Sequence, residues 1–369
     1  MTVFNKTKTV EQYEDKALFL GEDKGLLNTI HKHFPKIWKY YKVIKSLDWS
    51  EDEFTFSRCI NEFKTCAPDV RDMMIKTLAW QWEADSIAAT SPICLVAPFN
   101  PCIEVWEAEV AITANEMVHA NTYSEIVRMS FENPSEVLGS ILADQEAMDR
   151  VSVIEAYLSE FAAFSLDYKQ NPEKYTRKET IKNLMKFYYA MLLLERIQFM
   201  ASFAITFTIC KSGLFNAIGQ AVKKIAQDEL EVHVGYRKEV FTELRNMDKE
   251  EFGGEIFAEI KADLKSMLLS VISTEIEWTK YLFAGRSLVG INETMVIDWI
   301  LFNAKDVVKF TEFGYDEFGE YSFPAKNPIP HLEDWFNMNS SQSSPQEQQV
   351  AAYKMNSVIR DDSDIVFEF

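Results

Sequence analysis

Glycine and proline are both scarce in this chain, 12 and 11 among 369 residues. Their scarcity argues against a loop-rich β sandwich and for long uninterrupted helices. Basic side chains are outnumbered, 38 Lys and Arg against 57 Asp and Glu, giving a formal net charge of −19. That imbalance argues against nucleic-acid binding by phosphate neutralisation, and the field of the chain does not draw anionic substrates. A phosphate-cradling glycine loop is missing as well. The five cysteines, Cys59, Cys66, Cys94, Cys102 and Cys210, contain no CxxC pair and read as free thiols in a reducing compartment. MTVFNKTKTVEQYEDK, at the N-terminus, has no apolar leader. No run of about eighteen apolar residues suggests a membrane span. The expectation is a soluble, cytoplasmic protein with neither a nucleic-acid nor a membrane partner.

What is present is a helical pattern. Residues 1–25 read as an irregular arm. From about 26 to 313, apolar residues recur at spacings of three and four. Turn signals such as FPK (34–36), APFNP (97–101), QNPEK (170–174), KSGLFN (211–216) and GG (253–254) punctuate that pattern. No repeat of solenoid period is visible. Near residue 314 the chain becomes rich in glycine, proline and aromatics, as in a connector packed on the helical body. NMNSSQSSPQEQQ (337–349) is polar and of low complexity, and the last residues are DDSDIVFEF. These features divide the chain into an arm (1–25), an all-α domain (26–336) and a flexible tail (337–369). The apolar tip of the tail reads either as a frayed terminus or as a docking peptide.

The chemistry concentrates around NEMVHANTY (115–123). On a helix, Glu116, His119 and Tyr123 share one face, because residues three and four apart are neighbours. A carboxylate and an imidazole so placed can ligate one metal ion, although a lone Glu-x-x-His is as readily a surface pair or a satisfied core histidine. Three further segments extend the pattern. KKIAQDELEVH (223–233) sets Glu229 four residues before His233. LLLERIQFMASF (192–203) carries Glu195 inside an apolar helix, and WQWEADSIAA (80–89) carries Asp85. A charge in such a setting is costly unless paired or metal-bound. Four carboxylates and two of the five histidines, on four segments, match the pattern of a dinuclear metal site in a four-helix bundle. A metal pair of this kind can activate dioxygen, and Tyr123 is one turn from His119. Phe199, Phe203, Phe207 and Ile225 follow the same helical spacing, as a wall of the site or as an ordinary core stripe.

Longer stretches around these residues resemble the small, radical-generating subunit of class I ribonucleotide reductase. ADSIAATSP resembles the segment of that family with its first ligand. NEMVHANTYSEIVR resembles the family's SE-x-x-H-x-x-x-Y-x-x-I-x-R. LLERIQFMASFA resembles LE-x-I-x-F-x-x-SFA, and IAQDELEVH resembles I-x-RDE-x-x-H. The resemblance implies a ferritin-like helical bundle with extra helices. It implies Asp85, Glu116, His119, Glu195, Glu229 and His233 as ligands of two metal ions per subunit, iron or alternatively manganese, and Tyr123 as the radical tyrosine. Trp49, Asp228 and Tyr353 match the family's long-range radical route. A homodimer is implied too, with the C-terminal tail docking on a large subunit that reduces ribonucleotides to deoxyribonucleotides.

Two positions depart from the family pattern. Glu229 and His233 are separated by four residues where the family has three. In a regular helix one extra residue would turn His233 by about 100° and shift it about 1.5 Å. A π-type distortion between them would absorb it, and it is the expectation here, with Glu231 outside the ligand set. Gln227 stands where the family has arginine, next to Asp228. Two other readings use the same residues: a ligand-binding di-metal oxidase on the same scaffold, needing neither Tyr353 nor the tail tip, and a metal-free relative that acts only by binding.

Overall fold

The computed structural model describes residues 5–336 apart from Ser91 and Glu320. The tail 337–369, with Tyr353, lies outside the described residues. The longer helices, in chain order, are α1 (Pro35–Ser46), α2 (Pro68–Thr90), α3 (Ile103–Ser130), α4 (Gln145–Gln170), α5 (Arg177–Leu193), α6 (Phe199–Lys211), α7 (Asn216–Asp228), α8 (Val234–Phe252), α9 (Glu255–Phe283) and α10 (Glu293–Phe310). Among the described residues there is no strand, only one isolated antiparallel bridge between Leu288 and Ile291. The fold is all-α.

Local chemistry sets many of the helix ends. Pro35 opens α1, where its missing N–H costs nothing. Thr176 accepts the N–H of Glu179 at 3.2 Å, and Glu179 reaches back to the Thr176 N–H at 3.3 Å, which closes the capping box of α5. Asn292 caps α10 by accepting the Met295 N–H. The glycine pair at 253–254 has φ of 66° and 87°, left-handed values that glycine adopts without strain, and it folds α8 back into α9.

Two helices of the domain are interrupted, and both interruptions carry site residues. Between α7 and α8, Glu229–His233 form a π-helical turn. This is the distortion that the four-residue spacing predicts. Between α5 and α6, Leu194–Gln198 form a second π turn, centred near Glu195. No irregular spacing in the sequence announces that one. The two π turns touch each other.

The four ligand-bearing segments pack against one another. Helix α2 packs on α3 and α6, α5 packs on α8, and α7 touches α3. Helix α1 covers α3 from outside, while α9 packs on α4, α5 and α10 as an added layer. From Phe199 to Cys210 every residue of α6 is buried. A helix that is apolar all round belongs in a core or a membrane. Arg177–Lys211 is in fact long and apolar enough to cross a membrane by length and composition, but 94% of its apolar window is buried inside the protein. It is the central core helix of the bundle.

Candidate metal centre

All six candidate ligands converge in the middle of this bundle, each no more than 1% exposed. Helix α2 brings Asp85, α3 brings Glu116 and His119, and the two π turns bring Glu195 and the Glu229–His233 pair. His119 Nδ1 lies 3.2 Å from both Glu116 Oε2 and Glu229 Oε1, and 4.0 Å from Asp85 Oδ2. His233 Nδ1 lies 3.1 Å from Glu116 Oε1 and 3.2 Å from Glu229 Oε2. The wider π turn, closed by i→i+5 bonds, is what lets residues four apart aim at one point.

Ligand atoms fall into two overlapping groups, each with its atoms within 4.8 Å of one another. One holds Asp85, Glu116, His119 and Glu229; the other holds Glu116, Glu195, Glu229 and His233. Glu116 and Glu229 belong to both. Each group therefore has one private carboxylate, one private imidazole and two shared carboxylates, the layout of two adjacent cation sites joined by bridges.

Hydrogen bonding leaves this cage unfinished. Both oxygens of Asp85 and Glu195 Oε2 are buried without a hydrogen-bond partner, and Glu116 Oε1 and Glu229 Oε1 face only an imidazole nitrogen. Unpaired buried carboxylate oxygens are expensive. Burial, then the neighbouring Glu116, pushes the Asp85 carboxyl well above the usual range. Burial pushes Glu195 up to about 8, although Arg237 opposes the shift. Burial also works against charge on Glu116, but His233 and His119 overcome it and hold that carboxyl at about 2. Both histidines are raised well above their ordinary value, burial notwithstanding, by the carboxylates around them. Such a cage demands positive charge. Two divalent cations with neutral imidazoles would balance the four carboxylates, and oxygen and imidazole donors suit transition metals of intermediate hardness. The residues fit a dinuclear site.

Outside the ligands, His119 Nε2 meets Asp228 Oδ2 at 3.1 Å. The same oxygen accepts from Trp49 Nε1 at 2.7 Å and from Asn115 Nδ2 at 2.9 Å. Trp49 also lies nearly parallel to His119, with ring centroids 5.9 Å apart. Three residues singled out in the sequence, Trp49, Asp228 and His119, are thus joined directly. Tyr123 is fully buried one turn beyond His119, and its hydroxyl has no hydrogen-bond partner. Burial, then Asp85, Glu229 and Glu116, raises the phenol well above its ordinary value, so it stays neutral. Phe199, Phe203 and Phe207 form a stacked ladder on α6, with Trp80 edge-on to Phe199. Gln227 turns away from the ligands and donates to Glu231 at 3.3 Å, and Glu231 is exposed.

Several residues of the surround were not found from the sequence. Asn115 links the two halves: its Nδ2 donates to Asp228 while its Oδ1 lies 3.0 Å from His233 Nε2. Arg237 donates from Nε to Glu195 Oε1 at 3.0 Å and from Nη1 to both oxygens of Glu109. Tyr188 and Tyr236 each donate to Glu109 at 2.9 Å. A signal existed in the helical register, since Arg237 is four residues after His233 and Glu109 is seven before Glu116. Nothing in that register, however, tells a buried position from a solvated one.

Known proteins match nearly the whole of this chain. The family model described as "Ribonucleotide reductase, small chain" matches residues 27–328. The ribonucleoside-diphosphate reductase subunit beta of Buchnera aphidicola (subsp. Schizaphis graminum) is 24% identical over 372 residues, covering 97% of this chain and 96% of its own. Among solved structures, the ribonucleotide reductase R2 subunit of Clostridium botulinum superposes with a TM-score of 0.74 at 18% identity, over 91% of this chain and 98% of that one. The dimanganese(II) NrdF of Streptococcus sanguinis superposes with a TM-score of 0.66 at 15% identity, over 84% and 99%.

Proposed function

Since this chain belongs to the ribonucleotide reductase small-chain family, and so serves as the beta subunit of a ribonucleoside-diphosphate reductase, we propose that its buried cage makes and stores a tyrosyl radical on Tyr123. The carrying observation is the pair of four-ligand groups that share Glu116 and Glu229 around unpartnered carboxylate oxygens. Asp85 and His119 would hold one ion and Glu195 and His233 the other, with Glu116 and Glu229 common to both groups. We assign iron; manganese is the alternative that the same donors accept. When bound, the metal pair supplies a one-electron oxidant drawn from dioxygen.

The chain's own residues do the rest. Burial keeps Tyr123 protonated and shields it from water and reductants, so a radical formed there would be long-lived. Asp228 fixes the tautomer of His119 by accepting from Nε2, which leaves Nδ1 free to bind metal. Trp49 and Asp228 then form the exit from the cage toward the protein surface, with Tyr353 on the tail as the last relay. The subunit pairs with a second copy of itself, and its tail docks on a large subunit that holds the ribonucleotide. The whole assembly acts in the cytoplasm.

Electron paramagnetic resonance tests the central point. Protein loaded anaerobically with iron(II) and exposed to air should give a tyrosyl signal that disappears in Tyr123→Phe, with metal content unchanged. Persistence of the signal in that variant would remove Tyr123 from the role. Trp49→Phe should keep the signal and lose turnover with the large subunit. Retained turnover in Trp49→Phe would sink the exit route.

A further inference from the structure

Two contacts show that α2 and α3 run antiparallel, and they fix the register. Asp85 Oδ2 lies 4.0 Å from His119 Nδ1, and Ala79 and Val127 share one small apolar cluster with Ile141. Gln81 stands between Ala79 and Asp85, one turn before the ligand, and Tyr123 stands between His119 and Val127, one turn after the ligand. Gln81 and Tyr123 therefore occupy the same level of the helix pair, and each shares a face with the ligand on its own helix. Both are 0% exposed. Neither the oxygen nor the nitrogen of the Gln81 amide has a hydrogen-bond partner, and the Tyr123 hydroxyl has none either.

Stability does not account for a glutamine at this position. A buried amide without partners is costly, and a leucine of similar size would fill the same space without that penalty. The wall beside it is apolar: Trp80 stands edge-on to Phe199 at 5.1 Å, and Phe203 stacks on Phe199 at 5.6 Å. What an amide offers and leucine does not is a donor and an acceptor on one rotatable group. A phenol donates or accepts, whereas a phenoxyl oxygen carries no proton and can only accept. An ionised carboxylate at position 81 could give it nothing, and an ammonium would bring a buried charge. A neutral amide has two N–H groups to offer and no charge to bury.

We propose that Gln81 is a further residue of the radical site, its Nε2–H donating to the Tyr123 oxygen once that tyrosine is a radical and leaving it unbonded while the phenol is intact. This rests on the reading of Tyr123 as the radical residue. Because the bond belongs to one state only, it favours the radical over the phenol and slows its reduction. A neutral hydrogen bond moves such a balance by roughly 2–10-fold. Gln81 thus has no bond in the resting chain and acquires its partner in the oxidised one.

The test is high-field electron paramagnetic resonance with electron–nuclear double resonance, on full-length protein loaded with iron(II) and exposed to air. Protein carrying 15N in its glutamine side-chain amides should show a 15N coupling and an exchangeable-proton coupling to the Tyr123 radical. In Gln81→Leu both couplings should vanish, gx should rise toward that of a radical without a hydrogen bond, and reduction by hydroxylamine should be roughly 2–10-fold faster. Urea denaturation of the metal-free protein gives a readout that a structural amide would move the other way: Gln81→Leu should be at least as stable as wild type. An exchangeable-proton coupling without the 15N coupling would assign the bond to a water and overturn the proposal. Unchanged gx and lifetime in Gln81→Leu, or a loss of metal-free stability in that variant, would overturn it too, and each of these results leaves Tyr123 as the radical residue. A wild type without any tyrosyl signal would overturn both readings. The labelled wild type decides the matter even if Gln81→Leu does not fold.

Discussion

Glu229→Ala should strip both metal ions from the chain, whereas Asp85→Ala should strip one. Glu229 belongs to both ligand groups, with Oε1 at 3.2 Å from His119 Nδ1 and Oε2 at 3.2 Å from His233 Nδ1. Its removal deletes a bridge, takes one donor from each site and leaves two imidazoles facing a single shared carboxylate. Asp85 belongs to one group only. Metal analysis after iron loading and desalting should find two ions per chain in wild type, one in Asp85→Ala and none in Glu229→Ala. The tyrosyl signal and turnover should vanish in Glu229→Ala. Thermal melting gives a second readout, since a ligand at 100 times its Kd stabilises the folded state by about 2.7 kcal/mol. That metal-dependent rise in Tm should be lost in Glu229→Ala. Retention of two ions in this variant would disprove the bridging role.

Arg150→Met should cost the metal-free protein about 3–5 kcal/mol of stability, the usual penalty for breaking a buried ion pair from one side. Arg150 is 2% exposed. Its Nε and Nη2 bond the two oxygens of Glu275 at 2.6 and 2.7 Å, its Nη1 donates to Ser202 Oγ at 3.0 Å, and Nη2 also donates to the Gln198 carbonyl. The guanidinium carbon lies 3.5 Å from the ring centre of Trp80 and 4.8 Å from that of Trp278. Truncation would strand Glu275, whose carboxyl burial already pushes upward against the pull of Arg150. It would also remove the donor that holds Gln198, the last residue of the π turn around Glu195. Arg150→Met with Glu275→Leu should recover most of the stability, because replacing both partners leaves no buried charge. The π turn would still lack its anchor, so metal affinity should remain reduced. Urea denaturation of both variants, together with manganese binding, separates the two effects. Equal stability of Arg150→Met and wild type would show that the pair contributes nothing net.

Much of the fold and most of the site were legible in the sequence because they depend on short-range spacing. Scarcity of glycine and proline, with apolar residues at three and four, fixed the helical class. Glu116, His119 and Tyr123 share a face by arithmetic alone, and the extra residue between Glu229 and His233 announced its own π turn. The turn around Glu195 had no such mark. Its last residue is held only in the tertiary structure, where Arg150 takes up the Gln198 carbonyl. Tertiary structure alone decided that Glu116 and Glu229 are the shared carboxylates, that Gln227 faces outward, and that Asn115 ties one histidine to the anion beside the other. The same holds for Arg237 against Glu195 and Glu109, residues 42 and 128 positions away. Spacing along a helix determines which side chains share a face. Which of them meet across the bundle, and whether a charge there is buried or solvated, depends on how the helices pack.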